Sequence, residues 1–444
     1  MCHNIPMLPR PSVATERPTR VRYWMIVFAV TLAVITYVDR VSLSFASLVI
    51  RRDLGLSQAQ MGWAFGAFGL AYALFELPAG FLGDWLGPRQ VLLRIVIWWS
   101  CCTTATGSVF NLVSLTTIQF LFGAGEAGCF PNLTKAFTTW LPREEKTRAQ
   151  GFMWLAARWG GAFTPPLVRM VMRHAGWRNA FRIFGLIGVV WALLFYRWYR
   201  NDPAENPRLN QAERDLLAQN RALAASHVHV PWKRFLRSRQ VWPLCWGYFA
   251  LSYGWYFYIT WLPTYLRDAR GLSMDSAAWY AILPLFCGGL GNPASVVFGN
   301  WVERRTGSLK IARRLVACLG FAGASGFLIF ATTLPSPLAA MSAIGAASFC
   351  NDLAMPPFWS AAMDIGGKYA GTLSGTMNMW GNLAGFVAPV VTGYLLKWTL
   401  GNWNLTFFVS AAIYATGIPF WHLLDPVTPL DQERVTPIRS EPRP

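Results

Sequence analysis

The chain has 444 residues, of which 54% are hydrophobic and only 14% charged, and its net charge is +18. So little charge cannot clothe a soluble protein of this length, and with a mean hydropathy of +0.32 the composition reads as a polytopic membrane protein. The basic excess suggests nucleic acid at first sight, but those residues fall between apolar segments, which excludes it.

In chain order, Arg10, Arg17, Arg20 and Arg22 precede an apolar run too long for a signal peptide's core and without a small-residue cleavage site. It reads as a retained first helix. A bilayer needs about 20 apolar residues per spanning helix. Stretches of that kind predict helices near 23–49, 59–83, 91–110, 112–139, 149–172, 180–199, 242–266, 277–301, 312–333, 338–362, 371–396 and 404–424, twelve in all. The expected fold is therefore all-α, two six-helix bundles joined by a polar linker. The divisions are a tail at 1–22, a bundle at 23–200, the linker at 201–240, a second bundle at 241–424 and a tail at 425–444. With the N-terminus in the cytoplasm, only Arg51, Arg52, Arg173, Arg178, Arg267, Arg270 and Lys397 flank the outer side. More than three times as many Lys and Arg lie on the inner side, so both termini are expected inside, in a plasma (inner) membrane. All cysteines but Cys2 lie within apolar segments and read as unpaired core thiols.

The halves repeat. Gly151, Gly161 and Pro165 recur as Gly375, Gly385 and Pro389 at one offset of 224 residues. Gly80, Asp84 and Gly87 at the end of the second segment are echoed by Gly299, Glu303 and Gly307 at the end of the eighth. Two such units related by an axis along the membrane normal place a substrate at their interface near mid-membrane.

The stretch "GFLGDWLGPRQ" resembles the loop between the second and third helices of the major facilitator superfamily, with Gly80, Asp84, Gly87 and Arg89 matching. Trp85 stands where that family has a basic residue, and Pro88 departs as well. "YVDRVSLSFA", "GAGEAGCFPNLTKAFTTWLPREEKTRAQG", "YFYITWLPTYLRDARGLS" and "DIGGKYAGTLSGTMNMWGNLAG" narrow the resemblance to the anion:cation symporter family and its bacterial sugar-acid permeases. The resemblance implies proton-coupled uptake of an organic anion by alternating access. Efflux, sodium coupling, or a sensor that does not transport are the competing readings. It also implies that the acids Asp39 and Glu126 couple protons, and that Tyr37 and Tyr72 meet substrate hydroxyls.

The residues support this on their own terms. Asp39 and Arg40 interrupt the first apolar helix, where each charge costs about 2.5–3.5 kcal/mol even on the lenient insertion scale. Neighbours on a helix point about 100° apart, so they do not cancel on one face. Arg40, Ser44 and Ser47 form a stripe offering a fixed cation, because guanidinium grips a carboxylate in a fork. Glu126 is a second intramembrane acid, set among Gly123, Gly125 and Gly128. Arg158 reads as a second anion clamp or as the partner of Glu126. Asn378 and Asn382 share a face of the eleventh helix with Ser374, as substrate contacts or interhelical bonds. Trp359, on one face with Asp352, belongs to the second half's share of the site. The aromatic seventh helix reads either as sugar-stacking rings or as an interface belt, and Glu76 has no evident role. Asp84, Arg89, Arg148 and Glu303, near the inner ends, are expected to form gate ion pairs. No nucleotide loop, metal cluster or nucleophile motif occurs, so no enzyme, cofactor or metal is expected, and His227 and His229 read as solvated. The expected partners are a small anion, a proton and the lipid bilayer, with the chain a monomer.

Overall fold

A computed structural model of the protein describes residues 17–218, 237–366 and 370–429, with some side chains, including that of Asp84, left undescribed. The two histidines of the linker lie outside these residues. Among the described residues every regular element is a helix.

The first half contains α1 (Tyr23–Leu54), α2 (Gln58–Leu86), α3 (Pro88–Thr106), α4 (Leu112–Glu126), α5 (Cys129–Trp140) and α6 (Arg143–Trp198). The linker contributes α7 (Gln211–Ala218). The second half contains α8 (Val241–Thr260), α9 (Leu262–Asp268), α10 (Met274–Tyr280), α11 (Ile282–Thr306), α12 (Leu309–Thr333), α13 (Pro337–Gly366), α14 (Ala370–Trp398) and α15 (Trp403–Leu423). Three of the expected helices are broken in two, and two are fused. The fourth is split into α4 and α5 because Gly128 takes a φ of 87°, right beside Glu126. The seventh is split into α8 and α9 at Trp261, just before Pro263, which lacks an N–H to donate. The eighth begins as α10 and turns at Ala281. The fifth and sixth run on as α6, bent where Gly176 has φ 76° and ψ 164°. Counted this way the helices make twelve crossings, six in each half. Six described stretches are long and apolar enough on their own to cross a membrane; the remaining crossings are broken or richer in Trp, Tyr and polar groups.

Broken helices inside a membrane are tolerated where the loosened backbone is buried in protein or lines a cavity. Here the break in the seventh crossing packs against α1. Ser44 Oγ donates to the carbonyl of Thr260, the last residue of α8, at 2.7 Å. Ser47 Oγ donates to the Ser44 carbonyl at 2.6 Å and lies 3.5 Å from Thr264 Oγ1. The polar stripe expected to serve a ligand is thus divided: its serines close the joint between α1 and the broken seventh crossing, and Arg40 turns to Glu126.

One end of the bundle carries the linker, and the halves meet most closely at the other, far end. There α2 lies against α14 with glycines at the contact. A Cβ on Gly62 would come within 2.6 Å of the Pro389 carbonyl oxygen, and one on Gly69 within 2.4 Å of the Gly385 carbonyl carbon. Small residues are what let helix backbones approach this far. Trp63 Nε1 donates to Tyr394 Oη at 3.2 Å, Gln58 Nε2 to Asp268 Oδ2 at 3.3 Å, and Arg169 pairs with Asp275 at 2.6 Å. On the linker side of Glu76, no hydrogen bond or ion pair joins the halves among the described residues.

The linker is fastened to the first half. Arg22 pairs with Glu145 at 2.8 Å and with Glu213 of α7 at 3.0 Å, and Glu213 also accepts from the Thr19 hydroxyl. The hydrogen bond from Arg22 holds the Glu145 carboxyl below its ordinary range. Exposed Trp85, Trp242 and Trp301 ring the linker side, and Trp279 and Trp398 ring the far side, as at two membrane interfaces.

Candidate functional site

Arg40 lies at mid-length of α1, and Glu126 is the last residue of α4 before the break. Arg40 Nε donates to Glu126 Oε1 at 2.6 Å, with the two side chains 7% and 0% exposed. The contact is single, not forked. Glu126 Oε2 has no partner, and the two outer nitrogens of Arg40 make no hydrogen bond among the described residues. Three rings surround the guanidinium: Tyr37 at 5.6 Å, Phe68 at 5.1 Å and Tyr72 at 5.0 Å from their centroids. A cation over aromatic faces keeps some of the stabilisation it loses on leaving water.

Asp39, one residue earlier, points elsewhere. It is buried towards α3, near Trp99, and neither carboxyl oxygen finds a hydrogen-bond donor; the Trp99 indole N–H is likewise unpartnered. The side-by-side acid and cation of the sequence therefore serve different surroundings, as their 100° separation requires.

Arg158 of α6 does not reach Glu126; its partner is Asp352 of α13, in the other half. Nη2 donates to Asp352 Oδ1 at 2.8 Å and Nε lies 2.8 Å from Oδ2 as a charge contact, the pair buried on both sides. Asn351 Nδ2 donates to Asp352 Oδ1 at 2.9 Å, and Tyr414 Oη donates to Asn351 Oδ1 at 2.8 Å. The guanidinium sits 4.6 Å from the Trp255 ring centroid, and its Nη1 is buried without an acceptor.

Asn378 and Asn382 of α14 both donate to Glu76 of α2, Asn382 at 3.0 Å. Tyr256 Oη donates to Asn382 Oδ1 at 2.8 Å, completing a chain from α8 through α14 to α2. Of the alternatives weighed for the asparagines, interhelical bonding is what the structure contains. Glu76 thereby gains the partners that sequence left it without. Trp359 packs edge-on to Tyr248 at 6.0 Å, with its indole N–H unpartnered. From Tyr248 to Tyr258 the aromatic residues of α8 are buried in the bundle, while Trp242 at its start is exposed. Tyr37 and Trp255 meet at 6.1 Å, which joins the two arginine environments.

The expected gate residues do not pair with one another among the described residues. Arg89 donates from Nε and Nη2 to the Tyr196 carbonyl at 3.2 and 2.9 Å and stacks on the Tyr196 ring, all within its own half. Arg148 is exposed, and the Glu303 carboxylate forms no ion pair among the described residues. The Asp84 side chain lies outside the described residues. Two buried acids bond across the halves, Asp352 and Glu76; sequence placed Asp352 beside Trp359 without a partner and left Glu76 unassigned. Their signal is visible afterwards: each is a lone intramembrane acid on a helix facing the other half, opposite a helix carrying an unmatched Arg or a pair of Asn residues.

The Major Facilitator Superfamily profile matches residues 28–389. The chain is 35% identical to "Probable sulfoacetate transporter SauU" of Cupriavidus necator, over 89% of this chain and 92% of that protein. It is 29% identical to "Probable galactarate/D-glucarate transporter GudP" of Escherichia coli, over 89% and 92%. With the "Hexuronate transporter" of Bacillus subtilis it shares 27% identity, over 88% and 91%. A bacterial homolog of the human lysosomal transporter Spinster, solved in an inward-facing and occupied conformation, has the same fold, with a TM-score of 0.71 at 19% identity over 91% of this chain and 97% of that one. The protein is accordingly a multi-pass membrane transporter and not an enzyme, and it belongs to the Major Facilitator Superfamily, among the members of anion:cation symporter type.

Proposed function

We propose that the protein takes up a small organic anion, of the sugar-acid or sulfonated-acid kind carried by its relatives, together with protons. The observation that carries this reading is that each central arginine is already matched by a protein carboxylate, Arg40 by Glu126 and Arg158 by Asp352. An incoming anion therefore competes with a carboxylate for the same guanidinium. A carboxylate left buried without its cation costs several kcal/mol, and a proton removes that cost. Binding of the anion and of a proton thus favour each other. Asp39, with no donor on either oxygen and Glu126 nearby, is a third buried acid and relays the proton that Glu126 receives.

In this reading Arg40 and Arg158 hold acidic groups, and Tyr37, Tyr72 and Trp359 line the space between them. Asn378 and Asn382 exchange Glu76 for substrate oxygens. The distribution of Lys and Arg assigns the linker side to the cytoplasm. The glycine contact between α2 and α14 then closes the outside, and the conformation described is the one open inward. Asp84, Arg89, Arg148 and Glu303 are proposed to pair across the inner side in the opposite, outward-open state, when the inner ends come together.

The test is uptake of radiolabelled glucarate, glucuronate and sulfoacetate into proteoliposomes. An inside-alkaline pH gradient, without sodium, is expected to drive accumulation above equilibrium. Accumulation that needs sodium and ignores the pH gradient refutes the proton, and none of the three entering refutes the substrate class.

A further inference from the structure

We propose that the transported anion is a dianion, a short chain with an acidic group at each end, bound with one group on Arg40 and the other on Arg158 and carried with two protons. This deepens the symport reading above and rests on it.

The two guanidiniums are linked by a short run of buried aromatic rings. Arg40 lies 5.6 Å from the Tyr37 ring centroid, Tyr37 lies 6.1 Å from the Trp255 ring, and Arg158 lies 4.6 Å from that same ring. Gly161, one turn beyond Arg158 on α6, is the residue against which Tyr37 packs; a Cβ there would come within 2.9 Å of Tyr37 Cδ1. Two cations on the same half, joined through the Tyr37 and Trp255 rings, suit the two ends of one small molecule.

Both have unspent donors. Arg158 is 5% exposed, and its Nη1 is buried without an acceptor. Arg40 engages only its Nε. A guanidinium has five N–H donors in a fixed fork, and a buried one left unsatisfied is costly. Each arginine can therefore take an acidic group that its present carboxylate does not fully satisfy.

A monoanion needs only one of these sites. It would displace Glu126 from Arg40 and leave the Arg158–Asp352 pair intact, still tying α6 to α13 across the halves. A dianion displaces both carboxylates. The second displacement is the one that matters for movement, because it undoes the buried ion pair between the halves and replaces it with a bond from the first half to the substrate.

Charge balance fixes the proton number. The freed Glu126 faces Asp39 and Arg40 of α1, Tyr72 of α2 and Cys129 of α5, while Arg40 is by then neutralised by substrate. The freed Asp352 faces Arg158, Tyr258 of α8, Tyr414 of α15 and Asn351, with Arg158 likewise neutralised. Neither retains an uncommitted cation, so each carries one proton. Two negative charges and two protons cross together, and no net charge moves.

The experiment compares matched pairs on the wild-type protein: glucarate against gluconate, and sulfoacetate against its methyl ester. In detergent-solubilised binding titrations, at least one dianion is expected to bind ten-fold or more tightly than its monoanionic partner. In proteoliposomes its uptake is expected to follow the pH gradient and to change less than two-fold when a valinomycin potential is imposed. Arg158→Gln is expected to bring the dianion-to-monoanion ratio close to one. Monoanions bound as well as dianions in both pairs, or uptake driven strongly by the potential, overturn the proposal while leaving organic-anion symport standing. Binding of no member of either pair overturns both.

Discussion

Arg158 of α6 and Asp352 of α13 meet across the two halves of the transporter, Nη2 to Oδ1 at 2.8 Å and Nε to Oδ2 at 2.8 Å, both side chains almost wholly buried. Removing one member of such a pair leaves an uncompensated buried charge, at a cost of about 3–5 kcal/mol, whereas removing both costs much less. Asp352→Asn is therefore expected to lower the melting temperature in detergent clearly, and Arg158→Gln combined with Asp352→Asn to recover most of the loss. A double variant as unstable as the sum of the two single ones contradicts the pairing.

Arg40→Lys keeps the charge and loses the planar fork. The outer nitrogens that are free in the structure are the ones an acidic group would engage. Anion affinity in a binding titration is expected to fall ten-fold or more, with expression and melting temperature near wild type. Unchanged affinity would confine Arg40 to its contact with Glu126.

Glu126→Gln and Asp39→Asn keep shape and delete the titrating group. Both are expected to abolish accumulation driven by a pH gradient, while at least one retains exchange of labelled for unlabelled anion. Either variant concentrating substrate on a pH gradient as wild type does removes that acid from the coupling.

Gly69→Ala places a methyl group 2.4 Å from the Gly385 carbonyl carbon, where backbone, and not a flexible side chain, must give way. The close approach of α2 to α14 is lost, and spin labels at the far ends of these helices are expected to show longer distances. Substrate is still expected to bind but to cross slowly. A distance distribution identical to wild type counts against the contact.

At Glu145 the sign of the pH effect follows from a depressed carboxyl. Its bond to Arg22 contributes fully above the ordinary Glu range, about pH 4.3, and is lost as pH falls through the lower folded value. Docking of α7, which shares Arg22 through Glu213, is expected to hold from pH 8 down to about pH 5 and to loosen only below about pH 4. Hydrogen exchange across residues 211–218 measures it; loosening between pH 8 and 6 contradicts the assignment.

The twelve crossings, the duplication and the central positions of Arg40, Glu126 and Arg158 were legible because each leaves a local mark: an apolar run, a repeated Gly and Pro spacing, a charge in an apolar helix. The repeated glycines even have matching uses, since Gly161 packs on Tyr37 and Gly385 on Tyr256. The partners were not legible. Whether Arg158 meets Glu126 or Asp352 depends on how two helices from different halves are rotated, and that is set by packing over their whole length. The breaks at Gly128 and Trp261 were hidden for a related reason, because apolar composition continues unchanged through them. The serines at 44 and 47 show the converse. Their spacing matched a polar stripe, yet the carbonyl left by a broken neighbouring helix decided what they bind.

The glycine contact between α2 and α14 has a practical corollary. A closure made by backbone fitting against backbone is indifferent to ionic strength and acidity, unlike the Arg169–Asp275 pair between the halves, which is exposed and screened by salt. If the rocking equilibrium is shifted by outside acid, the shift must originate deeper, at the carboxylates, and travel outward. Salt alone should hardly move it. In the proposed cycle that separates sensing from sealing: the glycine seam would act as a passive valve seat, and the decision to lift it would be taken where Arg158 holds Asp352.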